Sequence, residues 1–305
     1  MHRLDALRQN IRTVLLGQDE AVELTVICFL ASGNLLIEDV PGVGKTTLAS
    51  AFSQSLGLRH RRIQFTSDIL PSDILGVSIY DPEKTSFVFH EGPIFTNILL
   101  ADEINRAEPR AQSALLEAMF EHQVTVDGVT RSLPDPFMVI ATQNPVDFSG
   151  TFPLPDSQLD RFLFCIRMGY PDERSEREIL KAGPRAPNLS PVLTTDDIAE
   201  LRARVDQIHV SEEIYDFVIR IVHATRENAM IVQGASTRAM IDLIQAAKAR
   251  ALLHGRDFVL PDDVRVLAPS SLAHRIRTAA RANVDPEALI ESFAAADTLD
   301  SDAQK

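Results

Sequence analysis

The chain has few cysteines, no surplus of positive charge and no unbroken apolar run of membrane length, and each shortage closes off a class of function. Cys28 and Cys165 lie far apart and form no C-x-x-C pair. They read as two buried, reduced thiols rather than a disulfide framework or a thiolate metal site. The histidines are scattered without ligand spacing, which leaves zinc chemistry without a donor set. Acidic residues outnumber basic ones 43 to 30, for a formal net charge of -13. No basic run stands against that field, so nucleic acid is not an expected partner. The longest apolar stretch, AVELTVICFLASGNLLIE, is interrupted by Glu23, Ser32, Gly33 and Asn34, which argues against a membrane span. The opening MHRLDALRQNIRTVLLG lacks the apolar segment and small-residue cleavage site of a secretory signal, so a cytoplasmic address is expected.

A chain of 305 residues with 45% hydrophobic residues can build one large domain or two. Residues 34–38, 61–65, 97–101, 136–142 and 162–167 are short apolar runs bounded by turn or charged residues, and helix-like segments such as 45–56 and 109–121 lie between them. That alternation predicts an α/β fold, a parallel sheet covered by helices on both faces. Two stretches around Asp-Pro and Asp-Gly, at 77–92 and 123–132, read as inserted hairpins. After Met168 the sheet signal stops. A proline-bearing linker at about 171–190 precedes a helical region over 191–280. There Ser211 is a candidate N-cap, Ile214, Phe217, Val218 and Ile221 keep helical spacing, and further helices start near Ser236 and Pro261. The last residues, 281–305, read as a helix and a polar tail. The nucleotide-binding core is expected over 1–170.

The stretch LLIEDVPGVGKTTLAS, residues 35–50, also lacks something: a phosphate loop usually opens with glycine, and Asp39 stands there instead. The remainder fits. Gly42 and Gly44 let backbone approach phosphates, Lys45 reaches the β and γ phosphates, and Thr46 ligates Mg²⁺, all directly after a strand and before a helix. Aspartate tolerates turn geometry, so Asp39 can keep the bend, provided its carboxylate points away from the nucleotide. In NILLADEINRA a strand runs into Asp102 and Glu103. They read either as a solvated acidic strand end or, beside the loop, as an acid that holds Mg²⁺ and an acid that orients the attacking water. Asn144, in FMVIATQNP, is a γ-phosphate or water contact or simply a turn residue. Arg161 and Arg238 taken alone read as surface charges.

Together these motifs resemble the AAA+ ATPases and, within them, the MoxR family. The segments QFTSDILPSDILG, FHEGPIFTNILLADEINRA, QSALLEAM, ATQNP, TFPLPDSQLDRF and GASTRA occur in the family's order over roughly residues 5–280. The resemblance implies a P-loop αβα core, an all-α lid and assembly into a homo-oligomeric ring, commonly a hexamer, with ATP sites shared between neighbours. It makes Pro41, Gly42, Val43, Gly44, Lys45, Thr46 and Thr47 the Walker A stretch and Asp102 and Glu103 Walker B. Asn144 becomes sensor 1, Arg161 the arginine finger toward the next subunit and Arg238 sensor 2. Gly17 and Gln18, in LLGQDEAV, belong to the segment lining the adenine pocket. Phe120 departs from the family, which usually carries an acid there. ATP or ADP with Mg²⁺, at Thr46 and Asp102, is the implied ligand. The implied function is chaperone-like remodelling, assembly or metal and cofactor insertion of a client protein, often alongside a von Willebrand factor A protein. A chelatase-like motor subunit and an ATP switch without hydrolysis are the alternatives, and the hairpins are either client contacts or edge decoration.

Overall fold

The computed structural model describes residues 2–144, 150–183, 188–279 and 284–295. Helix α1 (His2–Arg12) buries Leu4, Leu7 and Ile11, one stripe of a helical period. Helix α2 (Asp19–Leu30) buries Val22 and every residue from Leu24 to Leu30. The long apolar stretch is thus a helix enclosed by protein, followed by a turn and a strand. At the turn Ser32 takes φ +57°, and a Cβ on Gly33 would meet Leu163 at 2.5 Å.

Strand β1 (Leu35–Glu38) runs through the phosphate loop into α3 (Lys45–Ser55). Then come β2 (His60–Gln64), the short helix α4 (Pro71–Leu75) and a hairpin of β3 (Gly76–Asp81) and β4 (Ser86–Glu91). Strand β5 (Ile98–Asp102) leads to α5 (Pro109–Glu121) and a second hairpin, β6 (Gln123–Val126) with β7 (Val129–Ser132). Strand β8 (Met138–Gln143), the single turn α6 (Asp156–Leu159) and β9 (Phe164–Ile166) complete this part. Strands β2, β5, β8, β1 and β9 lie side by side in that order, every pair parallel. All five expected strands are therefore in one sheet, and both expected hairpins form antiparallel pairs outside it.

Successive residues of each central strand face opposite layers. Leu35, Ile37, Ile98, Leu100, Met138 and Ile140 join a core shared with α1, α2 and α3. Leu36, Leu99, Ala101, Val139 and Ala141 join a second core with α5. Burial on both faces explains why these strands read as continuous apolar runs.

Beyond β9 the chain forms α7 (Glu173–Ala182), α8 (Thr195–Gln207), α9 (Glu212–Glu227), β10 (Ile231–Gln233), α10 (Thr237–Leu253), α11 (Pro261–Leu272), β11 (Arg277–Thr278) and α12 (Pro286–Ala295). Helix α7 occupies much of the segment expected to be a linker; Asp172 caps it by accepting the Ser175 N–H at 2.7 Å. Helix α9 buries Ile214, Phe217, Val218 and Ile221 as the spacing predicts, while its N-cap, Ser211, makes no side-chain cap bond. Ser236 does cap α10, accepting the Ala239 N–H at 3.2 Å. Short strands β10 and β11 pair antiparallel, an addition that the helical pattern concealed. The lid's apolar residues merge with the first core, because α2 packs against both α8 and α10. Arg250 and Arg256 close on the fully buried Asp263. Burial opposes its charge, yet hydrogen bonds from Arg256, the Leu260 N–H and Arg250 outweigh that and keep its pKa below the ordinary carboxylate value. No described helix is long and apolar enough to cross a membrane. The polar tail beyond residue 295 lies outside the described residues.

Candidate nucleotide site

The carboxyl ends of β1, β5, β8 and β2 meet above the start of α3, where ligands of open α/β sheets bind. Gly42 and Gly44 take φ of +90° and +101°, in the left-handed region that glycine enters freely. Gly44 is the residue preceding the first turn of α3, so the unpaired N–H groups of that turn face the loop. A cavity of about 390 Å³ opens there, lined by Pro41, Gly42, Gly44, Lys45, Thr46, Thr47, Asp102, Glu103 and Asn144, and also by Arg62 and Gln64. Val43 turns its side chain into the core.

Asp39 answers the question its place in the loop raises. Its carboxylate faces away from the cavity. Oδ1 accepts the Val40 N–H at 2.7 Å, and Oδ2 accepts the N–H groups of Met168 and Gly169 at 2.8 and 2.6 Å. The residue that replaces the usual glycine thus fastens the loop to the segment leaving β9. Gln18 reaches the same segment, its Nε2 donating to the Gly169 carbonyl at 3.0 Å. A Cβ on Gly17 would meet the Ser175 hydroxyl at 2.8 Å. Gly17 and Gln18 accordingly build a wall beside the loop and do not line the cavity itself. Lys45 Nζ donates to the Asp39 carbonyl at 2.8 Å. Burial lowers its pKa despite the nearby Asp102, Asp39 and Glu103 carboxylates.

The acids are tightly arranged. Thr142 on β8, fully buried, donates its hydroxyl to Asp102 Oδ1 at 2.6 Å and accepts the Glu103 N–H at 2.9 Å. Glu103 adopts φ +56°, a left-handed backbone that a side-chain-bearing residue holds only when its surroundings enforce it. On the other side, Arg62 donates to Asp102 Oδ2 through Nη2 at 2.6 Å and Nε at 3.2 Å. Gln64 Nε2 donates to Glu103 Oε2 at 3.0 Å, and Arg106 pairs with the same oxygen at 2.8 Å. Thr142, Arg62 and Gln64 are residues that the sequence reading passed over. Arg62 and Gln64 could be found only from the strand order, which sets Gln64 opposite Asp102 across β2 and β5.

The two arginines lie elsewhere. Arg161 and Arg238 line a separate cavity of about 180 Å³ together with Phe120. Their guanidinium carbons stand 5.5 and 4.3 Å from the Phe120 ring centroid, within cation–π range. Arg161 also donates to the Leu116 carbonyl at 2.6 Å.

The chain matches the model of the ATPase family associated with various cellular activities (AAA) over residues 34–164 and an AAA lid domain over 223–293. It is 41% identical to a protein named Chaperone MoxR1 from Mycobacterium tuberculosis, covering 90% of this chain and 76% of that one. The chain is a member of the MoxR family of AAA+ ATPases. A Bacillus subtilis protein of undescribed function, YeaC, is 46% identical over 94% of this chain and 89% of its own length. A crystal structure of a candidate ATPase from Cytophaga hutchinsonii superimposes with a TM-score of 0.89 at 36% identity, covering 96% of this chain and 93% of that one. An AAA+ core with a helical lid is thus the architecture that carries the site, and nucleotide binding is what that family implies for it.

Proposed function

We propose that this MoxR-family protein binds ATP with Mg²⁺ in the cavity between the phosphate loop and the Asp102–Glu103 pair, and hydrolyses it as a ring of identical subunits. One observation carries the reading: a single chain holds the phosphate loop and both acids in one cavity but keeps Arg161 and Arg238 in another. A site divided in this way is completed by a neighbouring copy. A hexameric ring in the cytoplasm is the arrangement that the family resemblance implies.

The residues present suit the ligand. A loop rich in N–H groups and Lys45 accept phosphate, Thr46 and Asp102 offer hard oxygen donors of the kind Mg²⁺ takes, and Gly17 and Gln18 border the purine side. Held by Thr46 and Asp102, magnesium would supply positive charge against the phosphates. Arg62 holds Asp102 Oδ2 here, so Asp102 would hold the cation with Arg62 displaced from that oxygen. Gln64 and Arg106 hold Glu103 through Oε2, and the carboxylate's second oxygen can still accept a water. Glu103 then orients that water and takes its proton while the oxygen attacks the γ-phosphorus. The bond from the γ-phosphorus to the β–γ bridging oxygen breaks, and ADP keeps the electron pair. Lys45, Asn144 and the neighbour's Arg161 and Arg238 stabilise the charge on the transferring group. An arginine supplied by a partner is worth about 10³ to 10⁵ in rate in GTPases.

The work done by that hydrolysis is chaperone-like remodelling or assembly of a client protein, consistent with the chaperone name of the Mycobacterium relative. The hairpins offer apolar side chains for contact: Phe87 is 74% exposed and stacks edge-on with Tyr80. A von Willebrand factor A protein is the first partner to seek. The Glu103→Gln variant tests both parts. It should bind a fluorescent ATP analogue in magnesium as wild type does, hydrolyse ATP about 10²-fold more slowly, and retain client in an ATP-dependent pull-down. Unaltered turnover would remove Glu103 from the mechanism.

A further inference from the structure

The residues that hold Arg161 and Arg238 converge on one buried cation. Arg275, in the turn between α11 and β11, has only 1% of its side chain exposed. Its Nη2 donates to the Phe162 carbonyl at 2.6 Å and to Asp242 Oδ2 at 2.7 Å, and its Nη1 donates to Asp160 Oδ1 at 3.4 Å. Asp160 and Phe162 are the residues on either side of Arg161. Asp242 lies one helical turn beyond Arg238 on α10. The circuit closes through Ser236, two residues before Arg238, whose hydroxyl donates to Asp160 Oδ1 at 3.0 Å. His274 adds a bond from Nε2 to the Phe162 carbonyl at 2.9 Å. One guanidinium from the end of the lid therefore fixes the chain on both sides of the core arginine and the helix that presents the lid arginine. Both arginine side chains approach the ring of Phe120.

We propose that Arg275 is a positioning residue that locks Arg161 and Arg238 into a single unit, so that core and lid present both charges to the neighbouring subunit's nucleotide in one fixed geometry. A planar fork suits this role, because its donors leave in fixed directions and reach acceptors on two domains at once. A lysine keeps the charge and loses the fork. Misplacement by about 1 Å of a group that stabilises charge in the reaction costs roughly 10²-fold in rate, whereas the nucleotide's own cavity, lined by Lys45, Thr46 and Asp102, contains none of these bonds. The latch rests on the reading that the two arginines act across the subunit interface.

The test is complementation between variants. Arg275→Met and Arg275→Lys are compared with wild type for binding of a fluorescent ATP analogue, for ring formation by sedimentation, and for ATP turnover alone and in mixtures. Arg275→Met should bind nucleotide and assemble as wild type does, with kcat lowered about 10²-fold and KM unchanged; Arg275→Lys should recover little. Mixed with Lys45→Ala, Arg275→Met should regain turnover, because one partner supplies an intact pocket and the other correctly held arginines. Mixed with Arg161→Ala it should regain none. Wild-type kcat in Arg275→Met overturns the proposal, as does a defect that Lys45→Ala fails to rescue while it does rescue Arg161→Ala. If Lys45→Ala rescues neither, the action across the interface falls, and the latch falls with it. Should Arg275→Met not fold, Asp242→Ala and Ser236→Ala each remove one leg of the circuit, and normal kcat in both overturns the proposal equally.

Discussion

Asp39 stands where a glycine usually begins the phosphate loop, and three N–H bonds explain how a carboxylate is tolerated there. The charge is satisfied on the β9 side and faces away from the cavity, so removing it should not strengthen nucleotide binding. Asp39→Ala instead strands the N–H groups of Met168 and Gly169, at a cost of about 1–3 kcal/mol for an unsatisfied buried group. The expected outcome is a lower urea midpoint with ATP affinity no better than wild type. A tenfold or larger gain in affinity would mean that the carboxylate opposes the nucleotide after all. The sequence showed that Asp39 could keep a turn; what it bonds to came from residues about 130 positions later in the chain.

Elements differed in how readable they were, for physical reasons. The five sheet strands were legible because burial on both faces turns each into a short apolar run, and α9 and α10 because one apolar stripe repeats. Helix α2 was not read as a helix: enclosure by α1, the sheet and the lid removes the polar face that would show a period. The pocket roles of Arg62 and Gln64 were hidden because β2 is an edge strand with one buried residue, Ile63, and its place beside β5 is set by topology. The turn Ala273–Arg275 was likewise invisible, since its partners at Asp160 and Phe162 lie more than a hundred residues upstream. That turn makes a pH prediction. Burial, then the charge of Arg275, lowers the pKa of His274 from 6.5 to about 3. The folded protein therefore leaves His274 neutral while the unfolded chain takes up a proton, so its contribution to stability is complete above pH 6.5 and declines as pH falls toward about 3. The slope is at most about 1.4 kcal/mol per pH unit. Urea unfolding of wild type should weaken on acidification within this window, and His274→Asn should flatten its upper part, above the carboxylate range. An unchanged profile in the variant would show that His274 is not the group responsible.

At the scale of the whole molecule, the residues to which the proposed function assigns hydrolysis are divided between two cavities. One cavity holds the phosphate loop, Asp102, Glu103 and Asn144; the other gathers Arg161 and Arg238 on Phe120, and Arg275 ties that second group to the lid. Under the proposed function, a chain built this way would have an ATP pocket of its own and arginines that serve another chain's pocket. The measurement closest to that claim is ATP turnover per subunit as a function of protein concentration, followed alongside sedimentation. Turnover per subunit should be near zero in dilute, dissociated protein and rise together with the assembled fraction. A constant turnover per subunit, extending down to concentrations at which only single chains sediment, would contradict a site shared between neighbours.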